Sequence, residues 1–154
     1  MEITNQADLE RVFREVCIQV IDEVTDMALL KIKEVVSSKV YDAYIPFSYV
    51  RLGEDGGFLG AWAGSMSVSG NKIEGSVEHE PQMMDYVPEN EQHGSFADGD
   101  MREYIAMYIE HGNMRGNVGE RPFWDFFVQE VGTQLLDTWI KQAFARHGFS
   151  ARRA

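Results

Sequence analysis

From residue 5 to residue 38 no glycine or proline interrupts the chain. Leu9, Val12, Phe13, Val16, Val20, Val24, Met27 and Ala28 recur at spacings of three and four, which predicts a long amphipathic helix. Thr4 or Asn5 can cap its start, and Asp8 and Glu10 suit the positive end of its dipole. At ~1.5 Å per residue the stretch reaches roughly 50 Å. Ile18 and Ile21 widen the apolar stripe, and Cys17 beside it reads as a small packed hydrophobe. Val40-Tyr41-Asp42-Ala43-Tyr44-Ile45 then has the β-branched and aromatic character of a strand, closed by Pro46. The glycine-rich run 53–60 reads as a flexible connection. It has no Gly-Lys-Ser/Thr, so it is not read as a phosphate-binding loop.

The period then changes to two. Trp62, Gly64, Met66 and Val68 alternate with Ala61, Ala63, Ser65, Ser67 and Ser69, and Ile73 and Val77 alternate with Lys72, Glu74, Ser76 and Glu78. Gly70-Asn71 between the two runs is a two-residue hairpin turn. Pairing Ser69 with Lys72 sets Val68 across from Ile73, Met66 from Gly75 and Gly64 from Val77. The apolar positions then share one side, with each glycine opposite a larger residue.

Residues 80–99 read as a long loop broken by Pro81, Pro88, Gly94 and Gly99. Asp100 and Glu103 form a capping-box-like pair for a short helix over about 100–111, with Gly112 as its stop; a strand is the alternative, since Ile105, Met107 and Ile109 also alternate. Pro122 suits the first turn of a last long helix over about 121–147, with a seam of Trp124, Val128, Val131, Leu135 and Trp139. Phe123-Trp124-Asp125-Phe126-Phe127 carries more aromatic surface than one helix face can bury. The expected architecture is therefore α+β in a single domain, 1–154: a long N-terminal helix, a small antiparallel sheet built on a hairpin over about 61–79, a short helix and a long C-terminal helix. An acidic loop at about 80–99 and a short basic tail at 149–154 complete it.

Composition narrows the function classes. At 154 residues and 44% hydrophobic, the chain has enough apolar material for a core without disulfide or metal staples. Its one cysteine excludes an intrachain disulfide. The first eight residues are acidic and polar, unlike a secretory signal. No apolar run approaches the ~18 residues of a membrane span. The net charge of −11 opposes both nonspecific nucleic-acid binding and docking on anionic membrane. Residues 74–103 hold nine acids against one base and so supply −8 of that charge.

Candidate chemistry is sparse. Glu78-His79-Glu80 is not a helical metal pair, because alternation puts both glutamates on the face opposite His79. Asp98-Gly99-Asp100 resembles the middle of a calcium loop but lacks the closing glutamate. No Gly-x-Ser-x-Gly elbow is present. No catalytic, cofactor or metal site is expected.

Two anchors carry a resemblance. The first is Tyr41-Asp42-Ala43-Tyr44-Ile45-Pro46-Phe47-Ser48-Tyr49-Val50-Arg51 followed by Gly56-Gly57-Phe58-Leu59. The second is Ile105-x-x-x-Ile109-Glu110-x-Gly112 and then Arg121-Pro122-Phe123 opening the last helix. Together with the long first helix they resemble the neck, or tail-completion, proteins of tailed phages, which join head to tail. Leu52 and Gly60 stand where that family often has arginine and aspartate. The resemblance implies a non-enzymatic structural protein of the virion neck, assembled in the host cytoplasm. It would form a ring with copies of itself and touch a head-closure or connector ring and a tail terminator. DNA would pass nearby without specific binding, and no membrane is involved. On this reading Tyr41, Tyr44, Tyr49, Arg51, Arg121, Phe123, Trp124 and Phe126 are expected at a subunit or partner interface. Glu78, Glu80, Asp85, Glu89 and Glu91 are expected to line the channel or touch a neighbour. An acidic DNA mimic that inhibits a host nucleic-acid enzyme is the alternative from a different class.

Overall fold

The computed structural model describes residues 5–43, 53–85, 102, 104–112 and 119–149. Helix α1 spans Gln6–Val36, strands β1 and β2 span Trp62–Ser69 and Lys72–His79, and helices α2 and α3 span Ile105–His111 and Phe123–Arg146. The α+β architecture is as the hydrophobic pattern predicts. Among the described residues the sheet has two strands. The chain divides into two compact units, one of Met1–Leu30, Gly64–Val77 and Glu130–Ala154, the other of Lys31–Ala63 and Glu78–Gln129.

In the first unit, Asn5 is the cap that starts α1. Its side-chain oxygen accepts from the Asp8 backbone N–H at 3.0 Å. Val16, Val20 and Val24 of α1 are buried against Trp139 and Ala143 of α3. Further along, Phe13 stacks on Phe144 with centroids 6.2 Å apart and meets Phe149 edge-on at 6.0 Å. Gly148, at φ 82°, ends α3. Its N–H bonds Ala145 O, and the Phe149 N–H bonds Phe144 O at 2.9 Å, the paired bonds of a Schellman stop. Glu23 fastens the same end. It accepts from Arg146 Nε at 2.9 Å and lies 2.8 Å from His147 Nε2. The hydrogen bonds from Arg146 and His147 hold its carboxyl below the ordinary 4.5. The stability this adds is present above that value and is lost as pH falls below it.

The hairpin forms in the register that the alternation implies. Ser65 Oγ and Ser76 Oγ lie 2.8 Å apart, and the Glu80 N–H bonds Ala61 O at 2.8 Å, so positions summing to the same value face each other. Gly70, at φ 58°, makes the turn. The two interior glycines also answer to a neighbour that sequence alone does not show. Gly64 and Gly75 lie against α1. A Cβ on Gly64 would come 3.1 Å from Thr25 Cγ2, and one on Gly75 would fall onto Thr25 Oγ1. Thr25 cannot swing away freely. It is buried, and its hydroxyl donates to Ile21 O at 2.8 Å.

Three expectations need correction. The strand placed at 40–45 is not one where it is described: Ser37–Tyr41 continues α1 as a π-helical turn, with the Asp42 N–H bonding Ser37 O. Val36 and Val40 are both buried, so one helical face keeps filling the core and overrides local β preference. The expected short helix is present over Ile105–His111; its expected capping pair, Asp100 and Glu103, lies outside the described residues. The last helix is interrupted at Gly132, whose φ of 29° and ψ of −164° are not helical. The glycine-rich connection is a closely packed turn. Gly57, Phe58 and Gly60 are buried, and a Cβ on Gly60 would strike Glu54 O.

Gly75→Ala is expected to destabilise by ~1–3 kcal/mol through overpacking, and Gly64→Ala by less. Thr25→Ala should recover part of the Gly75→Ala loss, with a coupling of at least ~0.5 kcal/mol in a double-mutant cycle. Thermal denaturation of the four proteins measures this; a Gly75→Ala variant melting with the wild type would refute the close approach.

Candidate functional site

The described residues that carry the resemblance lie in the second unit. Three segments bring them together. The turn after Gly53 supplies Phe58, the open ends of β1 and β2 supply Trp62 and His79, and the first turns of α3 supply Phe123, Trp124 and Phe127. Phe58, Trp62 and Phe123 meet edge-to-face at centroid distances of 5.4–5.8 Å, the favoured geometry for neighbouring rings. Trp124 lies parallel to Trp62 at 6.1 Å and remains 39% exposed.

The start of α3 has no cap of its own. Pro122, whose carbonyl accepts from the Phe126 N–H, occupies the capping position and offers no side-chain oxygen. Glu110 of α2 takes that role from a distance. Its carboxylate accepts from the Trp124 N–H at 2.8 Å and the Asp125 N–H at 3.3 Å. Those are the N–H groups a local cap would satisfy, and a negative charge there is favoured by the helix dipole. Glu110 is buried, and the Arg121 N–H bonds Ile109 O at 2.8 Å, so α2 and the entry to α3 are joined by backbone and side chain together. Ile109-Glu110 and Arg121-Pro122-Phe123 therefore form one structural clasp.

The site residues expected from sequence fall into three groups. Tyr41 is half-buried, and its hydroxyl accepts from the Leu59 N–H at 3.2 Å, which links the tyrosine motif to the Gly-Gly-Phe-Leu turn. Phe123 is 2% exposed and is spent inside the unit, so it does not lie on an open surface. Trp124 is exposed and Phe126 half-buried, with Lys39 Nζ 4.0 Å above the Phe126 ring as a cation–π pair. Arg121 is half-buried beside them in sequence. Of the acids, Glu78 and Asp85 are exposed and Glu80 half-buried. The Asp85 N–H bonds Gly56 O, and the Asp85 side chain fills the space over Gly56. Tyr44, Tyr49, Arg51, Glu89 and Glu91 lie outside the described residues.

His79 has a structural surrounding. Its ring is 5.1 Å from Phe58 and 5.4 Å from Trp62, and among the described residues neither His79 Nε2 nor Trp62 Nε1 has a hydrogen-bond partner. Burial lowers its pKa below the ordinary 6.5 and keeps the ring neutral. Burial raises the Cys17 thiol above its ordinary value, the opposite of what a nucleophile needs. Among the described residues no group of three or more His, Cys, Asp or Glu side chains is placed to hold a metal. No helix among them is long and apolar enough to cross a membrane. No family model, curated protein or solved structure matches the chain.

Two outcomes follow from this geometry. Glu110→Ala should cost ~1–2 kcal/mol, with early amide exchange at Trp124 and Asp125 in hydrogen-exchange measurements. Above about pH 6.5 the neutral His79 costs nothing. Below it the unfolded chain takes up a proton that the folded chain resists, so stability declines as pH falls from 6.5 toward the lower folded value. Melting curves between about pH 8 and pH 5.5 should show that decline in the wild type and a smaller one in His79→Phe.

Proposed function

We propose that this protein is a structural subunit of a tailed-phage neck, joining the DNA-filled head to the tail as part of a ring around the DNA channel. Trp124 carries the reading. A tryptophan held in place by a stacked partner and a distant carboxylate cap, yet 39% exposed, is costly to leave in water unless another surface covers it. Met83, Tyr104, Met107 and Val128 of the same unit are also exposed, at 44–52%. Such surplus apolar surface suits a protein that works in contact with others. Rigid aromatic anchors dominate protein–protein binding, and Lys39 over Phe126 adds a cation beside them.

The acidic stretch fits a part near DNA that does not grip it. Duplex DNA carries one phosphate per ~1.7 Å of axis, so a negative wall repels it. Glu78, Glu80 and Asp85 would serve either that role or contact with a neighbouring ring. The cap and the tyrosine contact also give the motif residues a purpose in this reading: they hold the start of α3 rigid, which preorganises the docking aromatics.

In the phage that carries it, loss of the gene should leave DNA-filled heads beside unattached tails. Trp124→Ala should cost ~2 kcal/mol or more of binding to the assembled neck while the free protein stays folded. Head–tail joining and DNA ejection, scored separately for a variant with Glu78, Glu80, Asp85, Glu89 and Glu91 neutralised, assign the acids. Slowed ejection marks a channel lining; failed joining marks a neighbour contact. Normal virions from the deletion strain would sink the reading.

A further inference from the structure

The two strands of the hairpin have unlike outer edges. The β2 edge carries Lys72, Glu74 and Glu78, with Lys72 and Glu74 paired at 2.6 Å. Charged edges of that kind discourage further pairing. The β1 edge, Trp62–Ser69, has no charge and no proline. Among the described residues nothing pairs with it on the side away from β2.

The ladder fixes which groups that edge offers. Ala61 and Glu80 are a hydrogen-bonded pair. Hydrogen-bonded pairs alternate with non-bonded ones, so the odd-numbered residues of β1 bond β2. The N–H and C=O groups of Gly64, Met66 and Val68 therefore point outward. Met66 and Val68 are also 37% and 41% exposed, although they lie on the apolar side of the sheet. The edge thus presents backbone groups that no described residue pairs, flanked by apolar side chains that the described residues leave exposed.

We propose that a second copy of this chain occupies it, with β1 pairing antiparallel to β1 of the partner about a two-fold axis at Met66. The uncharged edge permits this occupant. At a net −11 two copies repel over most of their surfaces, and an uncharged strand is where they can meet without that cost. The strand is also self-complementary. Centring the pairing on Met66 sets Gly64 against Val68 and Ser65 against Ser67, and makes Gly64–Val68 and Met66–Met66 hydrogen-bonded pairs, as the outward groups require. The result is a four-stranded sheet from two hairpins, more stable than either alone. The contact is isologous and closes at two copies, so it stands apart from any head-to-tail ring contact.

Sedimentation equilibrium of the free protein should show a concentration-dependent shift from one to two copies. Met66→Pro removes only an outward N–H, leaving the β1–β2 ladder intact, and should hold the protein at one copy with an unchanged circular-dichroism spectrum. Ile73→Pro, placed equivalently on the β2 edge, should leave the dimer in place. Should Met66→Pro unfold, Met66→Lys sets two like charges at the axis and should give the same single copy. In a Cys17→Ser background, Met66→Cys should give a disulfide-linked dimer under mild oxidation and Glu74→Cys should not. A single copy at every concentration, a folded Met66→Pro protein that still dimerises, or loss of association in Ile73→Pro (which would mean head-to-tail pairing) would each overturn the proposal. These measurements use the free protein and leave the neck reading to the virion assays.

Discussion

A buried carboxylate at the start of a helix organises the second unit. Glu110 meets two N–H groups that would otherwise be left without acceptors, at a helix end where Pro122 offers none. A charge in that position is tolerated only because both hydrogen bonds and the helix dipole favour it. The first turn of α3 is thereby fixed to α2. Phe123 and Phe127 are delivered to the interior, and Trp124 is left at the surface, stacked on Trp62. Without the carboxylate the aromatic side chains would have the same composition but no fixed presentation. A fixed presentation separates a binding surface from an adventitious apolar patch.

The first unit rests on a different economy, that of space. Gly64 and Gly75 let the hairpin approach α1 so closely that Thr25 fills the place of a side chain. Thr25 in turn satisfies its hydroxyl on its own helix, at Ile21 O. A buried polar group and two absent side chains thus make one contact, and none of the three can change alone.

Elements marked by short-range signals were legible in the sequence. The hairpin follows from alternation and Gly70-Asn71, and its register follows from the parity of the apolar positions. The ends of α1 and α3 follow from Asn5 and Gly148. What depended on tertiary contact was not legible. Val40 looks β-forming but is helical because the interior takes it as the next residue on the face of Val36. The alternation marks the interior glycines as positions opposite larger residues, but their neighbour is Thr25 on α1 as well as the facing strand. Glu110 was visible within a motif, while its purpose was not. The usable signal was a missing one: a helix opening at Arg121-Pro122-Phe123 has no Ser, Thr, Asp or Asn to cap it, so an acceptor must come from elsewhere. For the surface residues, the aromatic excess at 123–127 pointed to the right segment, and the fold divides it into Phe123 and Phe127 within and Trp124 without.

Gly132 has a consequence for the order in which the protein is made. Helix formation is limited by its nucleus, and isolated helices shorter than ~12–15 residues are marginal in water. The 31 residues of α1 run unbroken and carry their own i,i+4 contacts, such as Arg11–Glu15. The 24 residues of α3 would be comparable if they were continuous, but the break at Gly132 leaves two shorter pieces, each needing its own nucleus. Chain synthesis delivers α1 first, and α1 can hold helical turns while the rest is still emerging. The two pieces of α3 follow α1 and acquire order by settling on surfaces already present. The aromatic start of α3 therefore becomes a finished surface only once the segments that carry Phe58 and Trp62 are in place to receive it.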